Sequence, residues 1–344
     1  MIDYHKKGDF GATVLTADLQ NPEGYGRIIR DSRDQLQKIV EEKDATVEEK
    51  SVTEINSGIY CFAGNALRDV LPKLGNDNIQ KEYYLTDVLP IMHDMDFKTG
   101  IYKIEDHEEI MAINSRGQLA EVEAIMRKRI NRGHMTNGVT IINPEHTYIE
   151  KTVTIGIDTV IYAGAILTGN TVIGEGCTIG QNSRIENSII GNGVEVQSST
   201  IIDSSVGDYT TVGPYAYLRP DSRIGEHVKI GTFVEVKNSE IDSHSSASHL
   251  SYIGDADVGK NVNIGCGVVF VNYDGKEKNR SIIGNNVFIG SNVNLIAPLI
   301  VRKDGYIACG STITSEVPEG SLAIARARQE NKEGWVGKKG LLKK

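Results

Sequence analysis

Residues 155–185 read IGIDTVIYAGAILTGNTVIGEGCTIGQNSRI, and an aliphatic side chain stands at every sixth position. The same period returns over residues 206–236, 241–253, 258–270 and 283–313, and Gly directly follows many of the aliphatic positions. An α-helix has a period of 3.6 residues and a strand a period of two, so neither explains a period of six. A chain that points one aliphatic side chain inward and then turns at a small residue winds into a triangular parallel β-helix.

Three hexads form one coil, so each coil takes about eighteen residues and stacks roughly 4.8 Å above the last. Residues 155–313 therefore predict about nine coils around a column of Ile, Val and Leu. The segment VNYDGKEKNRS, residues 271–281, is polar and aperiodic, which predicts an external loop. Residues 326–344 are predicted to form a polar tail.

The first 116 residues have a different sequence pattern, in which short β-rich runs alternate with amphipathic segments. Strands are predicted at 12–17 and 55–62, and helices at 66–74 and 85–95, with Thr86 as an N-cap. This pattern is typical of an α/β or α+β unit, and it contains no Gly-rich phosphate loop after a strand.

Between these regions, apolar residues recur at three- and four-residue steps over 118–132, which predicts an amphipathic helix. The predicted organisation is an N-terminal domain over 1–116, a linker helix over 117–136 and the β-helix with its tail over 137–344.

The composition argues against several classes of function. The chain has 344 residues, with 37 Lys and Arg against 46 Asp and Glu, so a nucleic-acid partner held by counterion release is not expected. The sequence contains no run of 18 or more apolar residues, so no membrane-spanning segment is expected. The four Cys (Cys61, Cys177, Cys266, Cys309) lie far apart without a C-x-x-C pair, so each is interpreted as a small buried side chain. Together with a start that lacks an apolar signal region, this predicts a cytoplasmic protein.

Several motifs resemble one family of hexapeptide-repeat enzymes. In the repeat region these are LRPDSRIG (218–225), FVEVKNS (233–239), SHLSYIGDADVGKNVNIGCG (248–267), NYDGKEK (272–278) and RQENKEGW (328–335). They resemble the bacterial bifunctional N-acetylglucosamine-1-phosphate uridyltransferase and glucosamine-1-phosphate acetyltransferase. In the first region, GYGRI (24–28), EEKDA (41–45), EINSGIY (54–60) and EYYLTDVLP (82–90) are similar to the later part of that family's uridyltransferase domain.

The resemblance implies a partial Rossmann-like nucleotidyltransferase domain, a linker helix and a left-handed parallel β-helix. It also implies a homotrimer with coenzyme A bound between neighbours, and a role in UDP-N-acetylglucosamine synthesis for the cell wall. The expected reaction moves the acetyl group of acetyl-CoA onto the amine of glucosamine 1-phosphate.

His249 matches the family's catalytic base, and histidine is the side chain whose ordinary pKa is nearest neutrality. Arg219 and Lys237 match phosphate contacts, and their separation of eighteen residues is one coil, so both should emerge from one face on adjacent coils. Further implied sugar-phosphate contacts are Tyr252, Asn263 and Lys278. The implied acetyl-CoA contacts are Cys266, Asn272, Tyr273, Ser291, Cys309 and Arg326.

The first region departs from the family pattern. The family begins with a G-G-x-G-T-R-M phosphate loop and has an early aspartate that binds magnesium, and this sequence has neither; it resembles the pattern from about a hundred residues onward. Gly26, Glu41, Asn56 and Asn114 resemble residual UDP-N-acetylglucosamine contacts, and Asn114 also resembles a Mg²⁺ ligand. One amide oxygen holds Mg²⁺ weakly, because this ion prefers carboxylate-anchored octahedral coordination. We therefore expect uridyl transfer to be lost or crippled.

Three alternatives stay open. A γ-carbonic-anhydrase-like enzyme would bind zinc through His227, His244 and His249. A non-catalytic β-helix would serve as a scaffold, as repeat surfaces often do. A serine or sugar O-acetyltransferase would share the repeat and the histidine.

Overall fold

A computed structural model describes residues 1–113 and 115–341. The chain divides into two compact units, Met1–Ile125 and Met126–Lys344. The first unit contains a mixed five-stranded sheet in the order β3-β2-β4-β1-β5, in which only β1 and β5 pair in parallel. Its strands are β1 (Ala12–Asp18), β2 (Arg27–Arg30), β3 (Leu36–Val40), β4 (Glu54–Phe62) and β5 (Thr99–Lys103).

Short helices accompany this sheet: α1 (Ile2–Gly8), α2 (Val47–Lys50), α3 (Gly64–Val70) and α4 (Val88–Asp94), with 3-10 turns at Leu71–Lys73, Leu85–Asp87 and His107–Ile110. The strands and helices predicted here are thus present. The predicted N-cap is wrong, because Thr86 lies inside the 3-10 turn and its hydroxyl has no hydrogen-bond partner. α5 (Arg116–Thr136) confirms the helix predicted over 118–132.

The second unit is a left-handed β-helix of about ten coils built from parallel ladders on three faces. We number the faces in the order in which the chain visits them. The first face contains Thr140–Ile141, Val160–Ile161, Thr178–Ile179, Glu195–Val196, Thr211–Val212, Lys229–Thr232, Ser246–His249, Asn263–Ile264, Phe288–Ile289, Tyr306–Ile307 and Leu322–Ala323. The second contains Tyr148–Ile149, Ile166–Thr168, Arg184–Glu186, Thr200–Ile202, Tyr217–Leu218, Glu235–Lys237, Tyr252–Gly254, Val269–Val271, Asn294–Ile296 and Thr312–Ile313.

The third face contains Thr154–Ile155, Val172–Ile173, Ile189–Ile190, Ser205–Val206, Arg223–Ile224, Glu240–Ile241, Ala256–Val258, Ser281–Ile283 and Leu299–Val301. Two short elements flank the coils, a 3-10 turn at Pro144–His146 and α6 (Trp335–Lys338).

The hexad side chains form one continuous core, as predicted, with Phe270 its largest fully buried member. Ile155 is only partly buried against that core. Several hydroxyls at the coil corners are buried too and bind backbone groups; Thr159, for example, donates to the carbonyl of Gly174 and accepts from the amide of Cys177. Each coil is therefore stabilised by apolar burial inside and by hydrogen bonds to the coils on either side.

The interpretation of the cysteines holds for one of the four. Cys177 is buried, Cys61 and Cys266 are partly exposed, and Cys309 is exposed. In the part of the chain that the structure describes, no helix is both long and apolar enough to cross a membrane.

The predicted external loop leaves the second face after Val269–Val271 and returns at Ser281–Ile283 on the third face. It folds as a small hairpin, in which Tyr273 and Lys278 form an antiparallel bridge and the amide of Asn279 donates to the carbonyl of Asn272 over 2.7 Å. The carboxylate of Asp274 accepts from the amides of Lys276 and Glu277. The hairpin therefore holds Lys278 in a defined position.

Candidate active site

A cleft of about 350 Å³ opens where the second face turns into the third, and three basic side chains line it. Arg219 follows the strand Tyr217–Leu218, Lys237 ends the strand of the next coil, and Lys278 comes from the hairpin. The amide of Arg219 donates to the carbonyl of Val236, which places Arg219 and Lys237 on adjacent coils, as their spacing predicts. Such a set of cations can bind a phosphate group.

Asp255 lies among these cations and is almost buried. Its carboxylate accepts hydrogen bonds from the side-chain amides of Asn238, over 2.5 Å, and of Asn272, and it lies 3.6 Å from the Lys237 ammonium. Burial alone would raise the pKa of Asp255, but the two amide donors and the positive charges of Lys237 and Lys278 outweigh it and lower that pKa. Asp255 is therefore a carboxylate anion inside a basic cleft.

The three cations differ in their electrostatic surroundings. Arg219 forms an ion pair with Glu235 over 2.8 Å, and this hydrogen bond raises the pKa of the guanidinium. Lys278 has a lowered pKa, because the side chain of Lys237 lies against it and carries a like charge. Two ammonium groups in contact favour an anionic ligand that neutralises both.

Tyr252 and Gly254 lie beside this cleft on the second face. The hydroxyl of Tyr252 accepts a hydrogen bond from the Asn272 amide over 3.4 Å. A Cβ on Gly254 would lie 2.5 Å from the Tyr252 hydroxyl and 2.8 Å from the Asn272 amide nitrogen, so a side chain at this position would displace both. Glycine therefore lets Tyr252 lie across the second face.

A second group of residues forms a column at the corner between the first and second faces. His249, Cys266, Ser291 and Cys309 each directly precede a residue in the left-handed conformation, namely Leu250, Gly267, Asn292 and Gly310. The amide of Asn292 donates to the carbonyl of Cys266, and that of Gly310 donates to the carbonyl of Ser291. We call these four residues the corner column.

The corner column continues toward the predicted tail, since the Arg326 Cδ lies 3.9 Å from the place that a Cβ would take on Gly310. Of the acetyl-CoA contacts implied by resemblance, Cys266, Ser291, Cys309 and Arg326 thus follow one edge. Asn272 and Tyr273 belong to the hairpin instead.

His249 does not lie in the basic cleft. It ends the strand Ser246–His249 on the first face and is exposed, whereas Arg219 and Lys237 lie at the far edge of the second face. The strand Tyr252–Gly254 separates the two places, and three residues of strand span about 7–10 Å. Asn263 lies on the first face, one coil beyond His249, and its side-chain oxygen accepts from the Ser246 hydroxyl over 3.4 Å.

In the first unit, three of the four residues implied for the nucleotide sugar lie together. The Glu41 carboxylate oxygens are 3.3 Å from the place that a Cβ would take on Gly26, and the amide of Asn56 donates to the carbonyl of Gly26 over 2.8 Å. Burial, followed by the charges of Asp44 and Asp87, raises the pKa of Glu41. Asn114 lies outside the described residues.

The zinc site of the carbonic-anhydrase alternative is not supported by the arrangement of side chains, and the Mg²⁺ ligand implied at Asn114 lies outside the described residues. Among residues 1–113 and 115–341, no group of three or more His, Cys, Asp or Glu side chains could hold a metal ion. His227 and His244 stack in parallel, 5.0 Å apart, at the corner between the third and first faces, while His249 lies at the next corner. The three histidines of the carbonic-anhydrase alternative therefore do not come together as zinc ligands.

Sequence reasoning missed Glu235, Asn238 and Asp255. An acidic residue next to cations resembles ordinary surface charge, so its type gave no signal. The available signal was the spacing, because Asn238 and Asp255 are seventeen residues apart and therefore occupy the same corner of adjacent coils.

Triangular coils of hexapeptide repeats, with a basic cleft at one edge of the second face and an exposed histidine at the other edge, define a hexapeptide-repeat transferase. Residues 152–187 and 203–238 match the family described as bacterial transferase hexapeptide (six repeats). The chain is 71% identical over 343 residues to the bifunctional protein GlmU of Alkaliphilus oremlandii and 61% identical over 339 residues to that of Clostridioides difficile. These alignments cover 100% and 98% of this chain, and 75% and 74% of the relatives. The chain belongs to the GlmU family of bifunctional enzymes, for which an acetyltransferase is one of the two activities.

Proposed function

We propose that this chain transfers the acetyl group of acetyl-CoA to the amine of glucosamine 1-phosphate. The observation that carries the proposal is the basic cleft of Arg219, Lys237 and Lys278, one strand's length from the corner column that begins at His249. A phosphorylated amino sugar that crosses the second face would place its phosphate in the cleft and its amine toward His249.

Each step uses a group of this chain. The free amine attacks the thioester carbonyl carbon, so a C–N bond forms and the C–S bond to coenzyme A breaks. His249 accepts the proton that the nitrogen loses, and the coenzyme A thiolate takes up a proton as it leaves. The cations hold the phosphate in fixed geometry, which lowers the entropic cost of bringing the amine to the thioester.

Acetyl-CoA is proposed to lie along the corner column, with Cys266 near the acetyl group and Arg326 near the phosphates of the coenzyme. Tyr252 and Asn263 are proposed as the remaining contacts of glucosamine 1-phosphate. The remaining proposed contacts of acetyl-CoA are Asn272, Tyr273, Ser291 and Cys309. We also propose that the chain acts as a homotrimer, following the resemblance to its family.

The uridyltransferase activity is proposed to be absent or weak in these 344 residues. They contain no Gly-rich phosphate loop, and their described part contains no carboxylate cluster that fits Mg²⁺. Gly26, Glu41 and Asn56 would then be a residual part of a nucleotide-sugar site.

The direct test is a parallel assay of both reactions on the purified chain. Coenzyme A release with glucosamine 1-phosphate and acetyl-CoA should be present, and formation of a UDP-sugar from UTP and N-acetylglucosamine 1-phosphate should not. Robust UDP-sugar formation would contradict the second part of the proposal. A panel of hydroxyl acceptors in the same assay distinguishes O-acetyl transfer from N-acetyl transfer.

His249→Ala tests the base. Loss of a general base lowers kcat by about 10²–10⁴-fold, while His244→Ala, an exposed histidine at another corner, should leave kcat unchanged. Size-exclusion chromatography with light scattering checks that both variants keep the wild-type oligomeric state. Normal turnover by His249→Ala would refute the base assignment, and absent turnover in the wild type would favour the scaffold alternative.

A further inference from the structure

The geometry points to Asp255 as a positioning residue that holds Lys237 and Lys278 side by side in the basic cleft and ties the hairpin to the coil beneath it. This inference deepens the proposed function and rests on it. Asp255 acts through other side chains, because its partners are Lys237 and Asn272, which are proposed to bind the substrates, and Asn238 of the preceding coil.

The backbone of Asp255 directs its carboxylate into the cleft. Asp255 adopts the left-handed conformation, with φ of 51°, at the corner between the second and third faces. Its amide donates to the carbonyl of Lys237 over 3.0 Å, which fixes it one coil above that lysine. Only 6% of the residue is exposed, so the carboxylate must be compensated by partners within the protein.

The compensation links three separate segments of the chain. Asn238 donates from the preceding coil, Asn272 donates from the start of the hairpin, and the Lys237 ammonium lies 3.6 Å away. The Asp255 carboxylate therefore connects Lys237 and Asn238 of the preceding coil to Asn272 of the hairpin. Replacing it by asparagine keeps one acceptor oxygen, but the new NH2 group would face one of the two amide donors, and the ammonium would lose its counter-charge.

The second end of the hairpin is tied to the same coil by a different carboxylate. Arg280 donates from Nε to Asp257 over 2.8 Å and from Nη1 to the carbonyl of Asn238 over 3.0 Å. Asp255 and Asp257 thus anchor the start and the end of the hairpin. Only Asp255 also faces the two lysines, so the pair offers a variant and a matched control.

The charge of Asp255 has a consequence that an anchoring role alone does not have. Lys278 faces the like charge of Lys237, while Asp255 and Tyr252 act in the opposite direction. Arg280 also lies within reach of the Asp255 charge. Without the carboxylate, the repulsion between Lys237 and Lys278 would lose the attraction that offsets it, and the pKa of Lys278 would fall further. The cleft would then lose one positive charge at a lower pH.

The experiment compares Asp255→Asn, Asp255→Glu and Asp257→Asn by steady-state kinetics from pH 6 to 10, with glucosamine 1-phosphate as the varied substrate. Asp255→Asn should raise KM for this substrate about tenfold, since a hydrogen bond to a charged group is lost, with a much smaller change in kcat. In the pH profile of kcat/KM for Asp255→Asn, the alkaline limb should move to lower pH. Asp257→Asn should keep the wild-type limb, although it loosens the other end of the hairpin.

Asp255→Glu keeps the charge and displaces it by one methylene group, so it should keep the wild-type limb and raise KM. If Asp255→Asn does not fold, Asp255→Glu still tests the positioning role of Asp255, because a wild-type KM in Asp255→Glu would overturn the inference. An unchanged KM and limb in Asp255→Asn, or an equal shift of the limb in Asp257→Asn, would overturn it too. Failure of the proposed function is recognised separately, because the wild type would then be inactive. In that case, calorimetry of inorganic phosphate binding to the wild type and to the same three variants tests the role of Asp255 without turnover.

Discussion

Arg219 and Arg223 allow a paired test of the basic cleft. Each arginine is bound to a glutamate of the next coil over 2.8 Å, Arg219 to Glu235 and Arg223 to Glu240. Arg219 lines the basic cleft, whereas Arg223 lies four residues later on the third face. Arg219→Ala and Arg223→Ala therefore remove similar ion pairs, but only Arg219→Ala removes a proposed phosphate contact.

The two substitutions should have similar small effects on the free energy of unfolding but different effects on substrate binding. The Arg219 and Glu235 side chains are 40% and 39% exposed, so their ion pair contributes about 0–1 kcal/mol to the free energy of unfolding. The Arg223 and Glu240 side chains are more exposed, so that pair contributes no more. A guanidinium that binds a phosphate contributes about 1.5–3 kcal/mol, which corresponds to a rise of about 10- to 150-fold in KM.

The assay measures KM for glucosamine 1-phosphate in both variants, together with the midpoint of urea unfolding by circular dichroism. We expect both midpoints to stay near that of the wild type and KM to rise in Arg219→Ala alone. KM for acetyl-CoA should change in neither variant. An equal KM for glucosamine 1-phosphate in the two variants, with both folded, would refute the placement of the phosphate in this cleft.

Two further predictions concern stability. Phe270→Ala should lower the free energy of unfolding by about 3–5 kcal/mol because it opens a cavity in the β-helix core, while the exposed Phe233→Ala should change it by less than about 1 kcal/mol; urea unfolding of both variants checks this. Burial alone would raise the pKa of Glu54, but hydrogen bonds from Arg30 and Thr16 lower it overall, so this carboxylate stabilises the first unit above its unfolded pKa and loses that effect as pH falls through its folded pKa. Glu54→Gln should therefore be less stable than the wild type at pH 7 and flatten the acid dependence of unfolding below about pH 5; an unchanged acid dependence would contradict this.

The β-helix could be predicted from sequence because its period is set by one local requirement. Every hexad points an aliphatic side chain into the core, so the pattern repeats whatever the outer residues are. The first unit was harder, since caps depend on where a helix begins. Thr86 matched a cap by residue type, but a 3-10 turn at Leu85–Asp87 moved the start of α4 beyond it.

The candidate site was predictable only in part. The spacing of Arg219 and Lys237 gave their adjacency directly, because one coil separates them. The position of His249 relative to them could not be read in the same way, since twelve residues from Lys237 amount to two thirds of a coil and lead to another corner. The contacts of Asp255 depend on a hairpin whose course has no sequence period, so they could be found only from the structure.

On the proposed function, the two substrates run in perpendicular directions, and this follows from how a β-helix is built. The corner column repeats from coil to coil, so a long donor can extend along the stack and contact the same kind of position on each coil. The acceptor instead follows the strand direction across the second face, from the basic cleft to the corner. The two directions cross near His249 and Tyr252, so the acyl group and the amine can meet only where one coil carries both residues. A shift of the hairpin changes the cleft end of the acceptor path without moving the corner column. Of the proposed acetyl-CoA contacts, Asn272 and Tyr273 would move with the hairpin, whereas Cys266, Ser291, Cys309 and Arg326 would stay in place. Changes at Asp255 should therefore affect KM for the sugar phosphate more than KM for acetyl-CoA.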